Sequence, residues 1–201
     1  MMNMRSVLII TALNVATPAF AGYDSTYSDF LPDACKQIAS GAAEGEGEFS
    51  PTYECKGYKD FPVTFVEDDL RSTVAFGKGG RNLCSFHQTF SGFNSVGNKI
   101  EWRLKDGKPI ATILRWKVSY DPEDSTKTKD WLVVTKLAEG ESCQIGYVEG
   151  SYPRANEKAR WLADTAATVF SCKVGKTIFF ASPGTSTNGI APEGGCEESG
   201  D

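Results

Sequence analysis

The sequence predicts an α+β domain: an antiparallel β-sheet meander with one C-terminal α-helix packed on it, the whole stapled by disulfides. Three observations carry that prediction. The stretch "NKIEWRLKDGKPIATILRWKVSY" alternates apolar and polar residues on either side of an Asp-Gly dipeptide. The stretch "SYPRANEKARWLADTAATVFSC" repeats small and apolar residues at three- and four-residue intervals. The chain also carries six cysteines, Cys35, Cys55, Cys84, Cys143, Cys172 and Cys196. Alternation marks a half-buried strand, and the longer period marks one face of a helix.

At the N-terminus, "MMNMRSVLIITALNVATPAFAG" sets Arg5 before an apolar run and ends it with Ala19 and Ala21 flanking Phe20. This order is that of a secretory signal peptide over residues 1–21, cut after Ala21. The run is shorter than the roughly 20 apolar residues a membrane span needs, and no later segment qualifies. Gly22 at the predicted cut argues against lipid modification. The expected address is therefore the periplasm or the medium, with residues 22–181 as a single disulfide-bonded domain. Residues 182–201 are expected to form a flexible acidic tail tethered by Cys196.

Without the leader the chain keeps 26 Asp+Glu against 20 Lys+Arg, a net charge of about −6. That balance disfavours nucleic acid, whose phosphates call for basic patches. It disfavours an anionic membrane surface for the same reason.

Along the chain, residues 22–57 give weak signals, and "GAAEGEGEFSP" reads as a solvated loop. Its Glu44, Glu46 and Glu48 lack the ordered ligand spacing of a calcium loop. The runs "TYEC", "PVTFVE", "STVAF" and "CSFHQTF" follow as short strands separated by turn residues. Next comes the strongest hairpin, Ile100, Trp102 and Leu104 alternating with charged residues before the Asp106-Gly107 turn. Its returning strand places Ile110, Thr112, Leu114, Trp116 and Val118 on one face, with Arg115 and Lys117 on the other. "WLVVTKL" and "SCQIGYVEG" complete a four-stranded meander whose one apolar face needs a sheet or a helix to cover it. The helix has Pro153 in its first turn. Its buried stripe holds Ala155, Ala159, Leu162, Ala163, Ala166 and Phe170, with Arg160 and Asp164 paired on the wet side. "KTIFFA" is one more strand.

An even cysteine count in an exported chain predicts three disulfides and no thiol chemistry. Six cysteines permit 15 pairings, which the sequence leaves open. Local context favours Cys35–Cys55 and Cys143–Cys172, leaving Cys84 with Cys196. A Cys143–Cys172 bridge would pin the helix to the sheet and contribute roughly 3 kcal/mol.

The residues offer little for catalysis. His87 is the only histidine, so any histidine mechanism would run through it, yet it has no nucleophile elbow beside it. "VGKT" lacks the first glycine of a phosphate-binding loop, its place being taken by Phe170. A hydrolytic carboxylate pair would have to come from Glu67, Asp68, Asp69, Glu101, Glu139 and Glu141, none marked out by its neighbours. Trp102 and Trp116 share the apolar register of their strands and belong in the core. Four side chains are expected as surface contacts: Trp131 and Trp161 by exposure, and Lys78 and Arg81 in "FGKGGR" as cations for an acidic partner. No catalytic residue, metal ligand or cofactor is expected.

The joint pattern "YECKGYKDFPVTFVEDDLR", "QTFSGFN…GNKIEWR", "ATILRW", "LVVTKL", "SCQIGYVEG" and "ANEKARWLAD…FSC" resembles a family of uncharacterised exported proteins from rhizobia-like alphaproteobacteria. The resemblance runs from about Tyr53 to Cys172. It implies cysteines at positions like Cys35, Cys55, Cys143 and Cys172, with Cys84 and Cys196 as an added pair, and a periplasmic or secreted location. A second, looser similarity is to small periplasmic lysozyme inhibitors, carried by Tyr53-x-Cys55. The tyrosine of one such family's insertion loop is missing after Ser91 and Gly92. The leading expectation is a non-enzymatic binding domain for an envelope protein or glycan. The alternatives are a glycan hydrolase using a carboxylate pair, a lysozyme-inhibitor-like protein and a structural envelope component.

Overall fold

The structure, a computed structural model, describes residues 22–39, 50–121, 123–187, 190 and 196. The expected leader and the carboxylates Glu44, Glu46 and Glu48 lie outside the described residues. The elements are β1 (Tyr23–Asp29), β2 (Lys36–Ala39), β3 (Thr52–Tyr58), β4 (Phe61–Asp68), β5 (Arg71–Phe76), β6 (Asn94–Lys105), β7 (Lys108–Ser119), β8 (Thr128–Ala138), β9 (Glu141–Glu149), α1 (Ala155–Ala166) and β10 (Ile178–Phe180). They form a six-stranded sheet, β1-β6-β7-β8-β9-β10, and a four-stranded sheet, β2-β3-β4-β5. This is the predicted α+β fold, a meander with a single helix.

The β6–β7 hairpin turns as the Asp-Gly dipeptide dictates. Lys105 pairs with Lys108, and Asp106 and Gly107 between them take φ of 52° and 73°. Two consecutive positive φ values define the two-residue turn whose twist matches that of the strands.

One expectation fails here: the meander is buried on both faces. Trp102, Leu104, Leu114, Trp116, Val133 and Tyr147 meet Phe65, Val74 and Phe76 of the smaller sheet. On the opposite face, Ala111, Ile113, Leu132, Val134, Ile145 and Val148 meet Ala159, Leu162 and Ala163 of the helix. The result is three layers, sheet on sheet on helix. In β7 the polar residues Arg115 and Lys117 occupy only the strand's far half, while Ala111 and Ile113 lie under the helix. Ile110 joins them instead of the Trp116 face, because the register shifts between Arg103 and Leu104.

Other local expectations are also corrected. Residues Tyr23–Asp29 form a strand despite their weak apolar pattern, because they pair along the C-terminal part of β6, from Tyr23 against Lys105 to Asp29 against Lys99. "CSFHQTF" begins as a 3-10 turn, Cys84–His87. Two contacts fold it inward: the Ser85 and Ser142 hydroxyls meet at 2.9 Å, and Phe86 packs with Val66, Ala75 and Leu83. Pro153 precedes the helix, which starts after Arg154 at φ 55°.

Arg160 and Asp164 do not pair with each other. Arg160 Nε donates to Glu101 Oε1 at 2.6 Å, and Arg103 donates to both Asp164 oxygens, at 2.9 and 2.7 Å. Ser25 links the two pairs, accepting from Arg103 at 2.6 Å and donating to Glu101 at 2.5 Å. Helix, β6 and β1 are thus joined by charge-assisted bonds that satisfy Glu101 and Arg103, 8% and 7% exposed. The Glu101 carboxylate holds the Arg160 guanidinium above its usual range.

The three bridges are Cys35–Cys55, Cys84–Cys196 and Cys143–Cys172. The sulfurs of Cys143, Cys172 and Cys196 lie within 4.8 Å of one another. All three are oxidised in bridges and so offer no thiolate to a metal.

Replacing Cys143 and Cys172 together by alanine should cost roughly 3 kcal/mol in urea unfolding; an unchanged midpoint would mean that packing alone holds the helix. Asp164→Ala should cost about 3 kcal/mol by stranding Arg103 in a buried site. A loss under about 1 kcal/mol, the range of a surface pair, would show that water reaches Arg103 freely.

Candidate functional site

At the end of the molecule where β7 runs out and β8 begins, a cleft of about 640 Å³ is lined by two exposed aromatic residues, Phe93 and Tyr120. Phe93 forms one wall. The Ser119 N–H donates to the Phe93 carbonyl at 2.8 Å. Gly92 permits that approach, since a Cβ there would come within 2.8 Å of the Ser119 carbonyl oxygen. Clamped in this way, Phe93 keeps 42% of its surface exposed.

Tyr120, 56% exposed, forms the other wall. Its position follows from the polar run after it, which folds as side-chain-to-backbone turns. Asp121 Oδ1 accepts from the Glu123 N–H and Asp124 Oδ1 from the Thr126 N–H, each at 3.0 Å. Lys127 reaches Asp121 at 2.6 Å, and the Tyr120 N–H donates to the Lys127 carbonyl at 3.2 Å. The Lys129 ammonium sits 5.5 Å from the Tyr120 ring centroid.

Val118 and Trp131 line the cleft between these walls, and Ser186 and Ile190 of the C-terminal segment line a further side. That segment is held by Glu149. Its buried carboxylate accepts from the Ser182 N–H at 2.7 Å and from Thr185 Oγ1 at 3.0 Å, with Lys129 at 3.4 Å. The stretch expected to begin a flexible tail is therefore anchored over residues 182–185.

The charges of the cleft are committed to its framework. Burial by itself would raise the Glu149 carboxyl, but the bonds from Ser182, Thr185 and Lys129 outweigh it and hold the group below its usual range. Asp121 is lowered first by Lys127, then by the Glu123 amide. A general acid needs a carboxyl kept protonated near neutral pH, and both of these are pushed the other way.

The residues singled out from sequence do not converge. Trp131, expected at the surface, is 0% exposed. The strand starts at Thr128, three residues earlier than expected, and the register sets Trp131 against Trp116 in the core. Its indole N–H has no hydrogen-bond partner among the described residues. Trp161 is 51% exposed on the helix, with the Lys158 ammonium 4.6 Å from its ring centroid. Lys78 borders a separate cleft with Asp60 and Glu139. Arg81 is tied down, donating to Thr52 Oγ1 at 3.1 Å and lying 5.2 Å from the Phe86 ring centroid. His87 is exposed, and its ring lies edge-on to that of its neighbour Phe86.

The six candidate carboxylates are likewise dispersed. Glu101 is bound to Arg160, Glu141 to Lys136 at 2.8 Å, Asp69 to Arg71 at 3.5 Å and Asp68 to the Ser50 hydroxyl at 2.9 Å. Glu139 lines the Lys78 cleft and Glu67 a different one. Phe93 and Tyr120 were not singled out from sequence. Their signal was an aromatic residue set outside strand alternation, beside Gly92 in one case and before Asp121-Pro122 in the other.

Fold and site together define a disulfide-stapled α+β domain with an aromatic-walled cleft. No protein-family model, curated protein or solved structure matches the chain. Among the described residues, no helix is long and apolar enough to cross a membrane.

Because its folded pKa is depressed, Glu149 contributes stability that is complete above the ordinary glutamate value of about 4.3 and lost as pH falls through the lower folded value. Hydrogen exchange should show the Ser182 amide protected at neutral pH and released on acidification, and Glu149→Gln should weaken that protection at neutral pH. Equal protection in variant and wild type would assign the anchoring to backbone packing.

Proposed function

We propose that the chain is exported, with residues 1–21 as a cleaved leader, and works in the periplasm or outside the cell as a non-enzymatic binding domain. It holds an envelope protein or glycan in the Phe93–Tyr120 cleft. One observation carries this reading: two exposed aromatic rings, Phe93 and Tyr120, line one cleft whose charged groups are engaged with its own framework, Asp121 with Lys127 and Lys129 with Glu149. Exposed apolar surface around a concavity is the usual mark of a binding site. A cleft lined by exposed apolar rings has the parts for recognition.

The address rests on separate support. Every described cysteine is in a bridge, as suits an oxidising compartment, and the order of basic, apolar and small residues before Gly22 is that of an export signal. The resemblance to an exported family over Tyr53 to Cys172 agrees with it.

The test is affinity capture from cross-linked envelopes, with the tagged chain from Gly22 to Asp201 as bait. The wild type should retain a stoichiometric partner, and the double variant Phe93→Ala, Tyr120→Ala should lose it by about tenfold or more at unchanged melting temperature. Equal retention by both baits would remove the cleft from the reading. Hydrolysis of peptidoglycan by the purified chain would replace the binding domain with the hydrolase.

A further inference from the structure

Phe93 belongs to two clefts. Besides the Tyr120 cleft it lines a second, smaller one of about 230 Å³, formed by the β4–β5 turn, the start of β6 and the loop before β8. The two therefore share one ring, with Tyr120 and Ile190 lining the first and Glu67 and Leu70 the second. We propose that they join into one groove, the binding site of a linear, uncharged oligosaccharide, with Phe93 as the central stacking platform and Leu70 at the far end. The proposal rests on the binding-domain reading and names its ligand class.

The second cleft differs from the first in how its side chains are used. Glu67, Ser95, Lys117, Ser125 and Thr128 line it, and none of their side chains makes a hydrogen bond or ion pair among the described residues. Hydroxyls, a carboxylate and an ammonium left open along a groove suit the hydroxyl edges of sugars, while Phe93, Tyr120 and Leu70 suit their apolar faces.

Leu70 is held there against local preference. Asp68 pairs with Arg71, so Asp69 and Leu70 form a two-residue turn with φ of 46° and 60°, where asparagine and glycine are the usual choices. A leucine in the left-handed region is an outlier. This one is 61% exposed and stands outside the buried core. The Asn94 N–H fixes it by donating to the Leu70 carbonyl at 2.9 Å, and Asn94 Oδ1 accepts from the Ser72 N–H at 3.0 Å. Adjacent residues, Phe93 just before β6 and Asn94 at its start, thus supply the central ring and the clamp on the far wall.

Other occupants fit less well. An extended peptide binds by adding to an open strand edge, but Asn94 and Ser95 pair with Val118 and Lys117 on one side, and on the other the Asn94 N–H is already given to the Leu70 carbonyl. A polyanion or polycation would meet a balanced groove, Glu67 and Asp121 against Lys117 and Lys129. A chain of neutral, amphipathic rings meets neither objection.

The test is calorimetric titration of the folded, disulfide-intact chain from Gly22 to Asp201 with linear β-1,4 N-acetylglucosamine and β-1,3 glucose oligomers of one to six units. At least one series should bind with an affinity that rises about tenfold between two and four units, each tenfold step corresponding to about 1.4 kcal/mol. Phe93→Ala should abolish binding at every length. Leu70→Asn, a residue suited to the left-handed turn, should melt no lower than wild type yet reduce the four-unit affinity to the two-unit value. No binding by either series, affinity independent of length, or a Leu70→Asn variant with full length dependence would each overturn the proposal. A Phe93-dependent protein partner in the capture experiment with no oligosaccharide binding would overturn the glycan and leave the binding domain standing.

Discussion

Both faces of the six-stranded sheet carry large apolar side chains, and the rest of the structure is arranged to keep both from water. Trp102, Trp116, Trp131 and Tyr147 project from one face and are fully buried; such rings need a broad cover, which the four-stranded sheet supplies. The other face presents smaller residues, Ala111, Ile113, Val134 and Ile145. A single helix with alanines at its contacts suffices there, because alanine lets its backbone come close. Gly146 shows how close: a Cβ at that position would come within 2.5 Å of a Leu162 methyl.

A helix resting on a smooth apolar surface is poorly fixed in rotation and in position along its axis. The two guanidinium–carboxylate pairs remove that freedom. Glu101 and Arg103 stand on β6 with opposite charges, and Arg160 and Asp164 meet them in the complementary order from one side of the helix. Exchange of the two contacts would set like charges together. Buried pairs are poor sources of net stability and good sources of uniqueness, and the Cys143–Cys172 bridge at the helix's far end adds a covalent limit to the same motion.

The groove arises where the covering layers stop. Near Ser119 the meander meets the β4–β5 turn of the smaller sheet, and the chain there is shaped by side-chain-capped turns and the Asn94 clamp. These devices hold Phe93, Tyr120 and Leu70 outward at some local cost. The interior of the same fold satisfies most of its polar groups: Gln144 donates twice to Gln88, from its backbone N–H to the side-chain oxygen and from its side-chain amide to the backbone carbonyl, each at 2.6 Å, and Tyr147, its phenol pushed up by burial, donates to Gln144. A rigid interior beneath an open, aromatic end is the division of labour expected of a binding domain.

Much of the fold was legible along the chain. The strands from Thr52 onward, the Asp106-Gly107 hairpin and the helix stripe follow from period and turn chemistry, which are properties of neighbours in sequence. The cysteine pairing was favoured by local context, although the sequence left it open. What the sequence withheld depends on partners distant in the chain. Tyr23–Asp29 is a strand only because β6 offers it an edge, and "CSFHQTF" coils only because Ser142 and Cys196 receive it. Trp131 is buried because Trp116 lies opposite it. The candidate site was the least legible part. Ser91–Phe93, Tyr120 and Leu70 lie in three separate connections with no shared motif, and the pairing of β6 with β7, which sets Phe93 beside Ser119, brings them together.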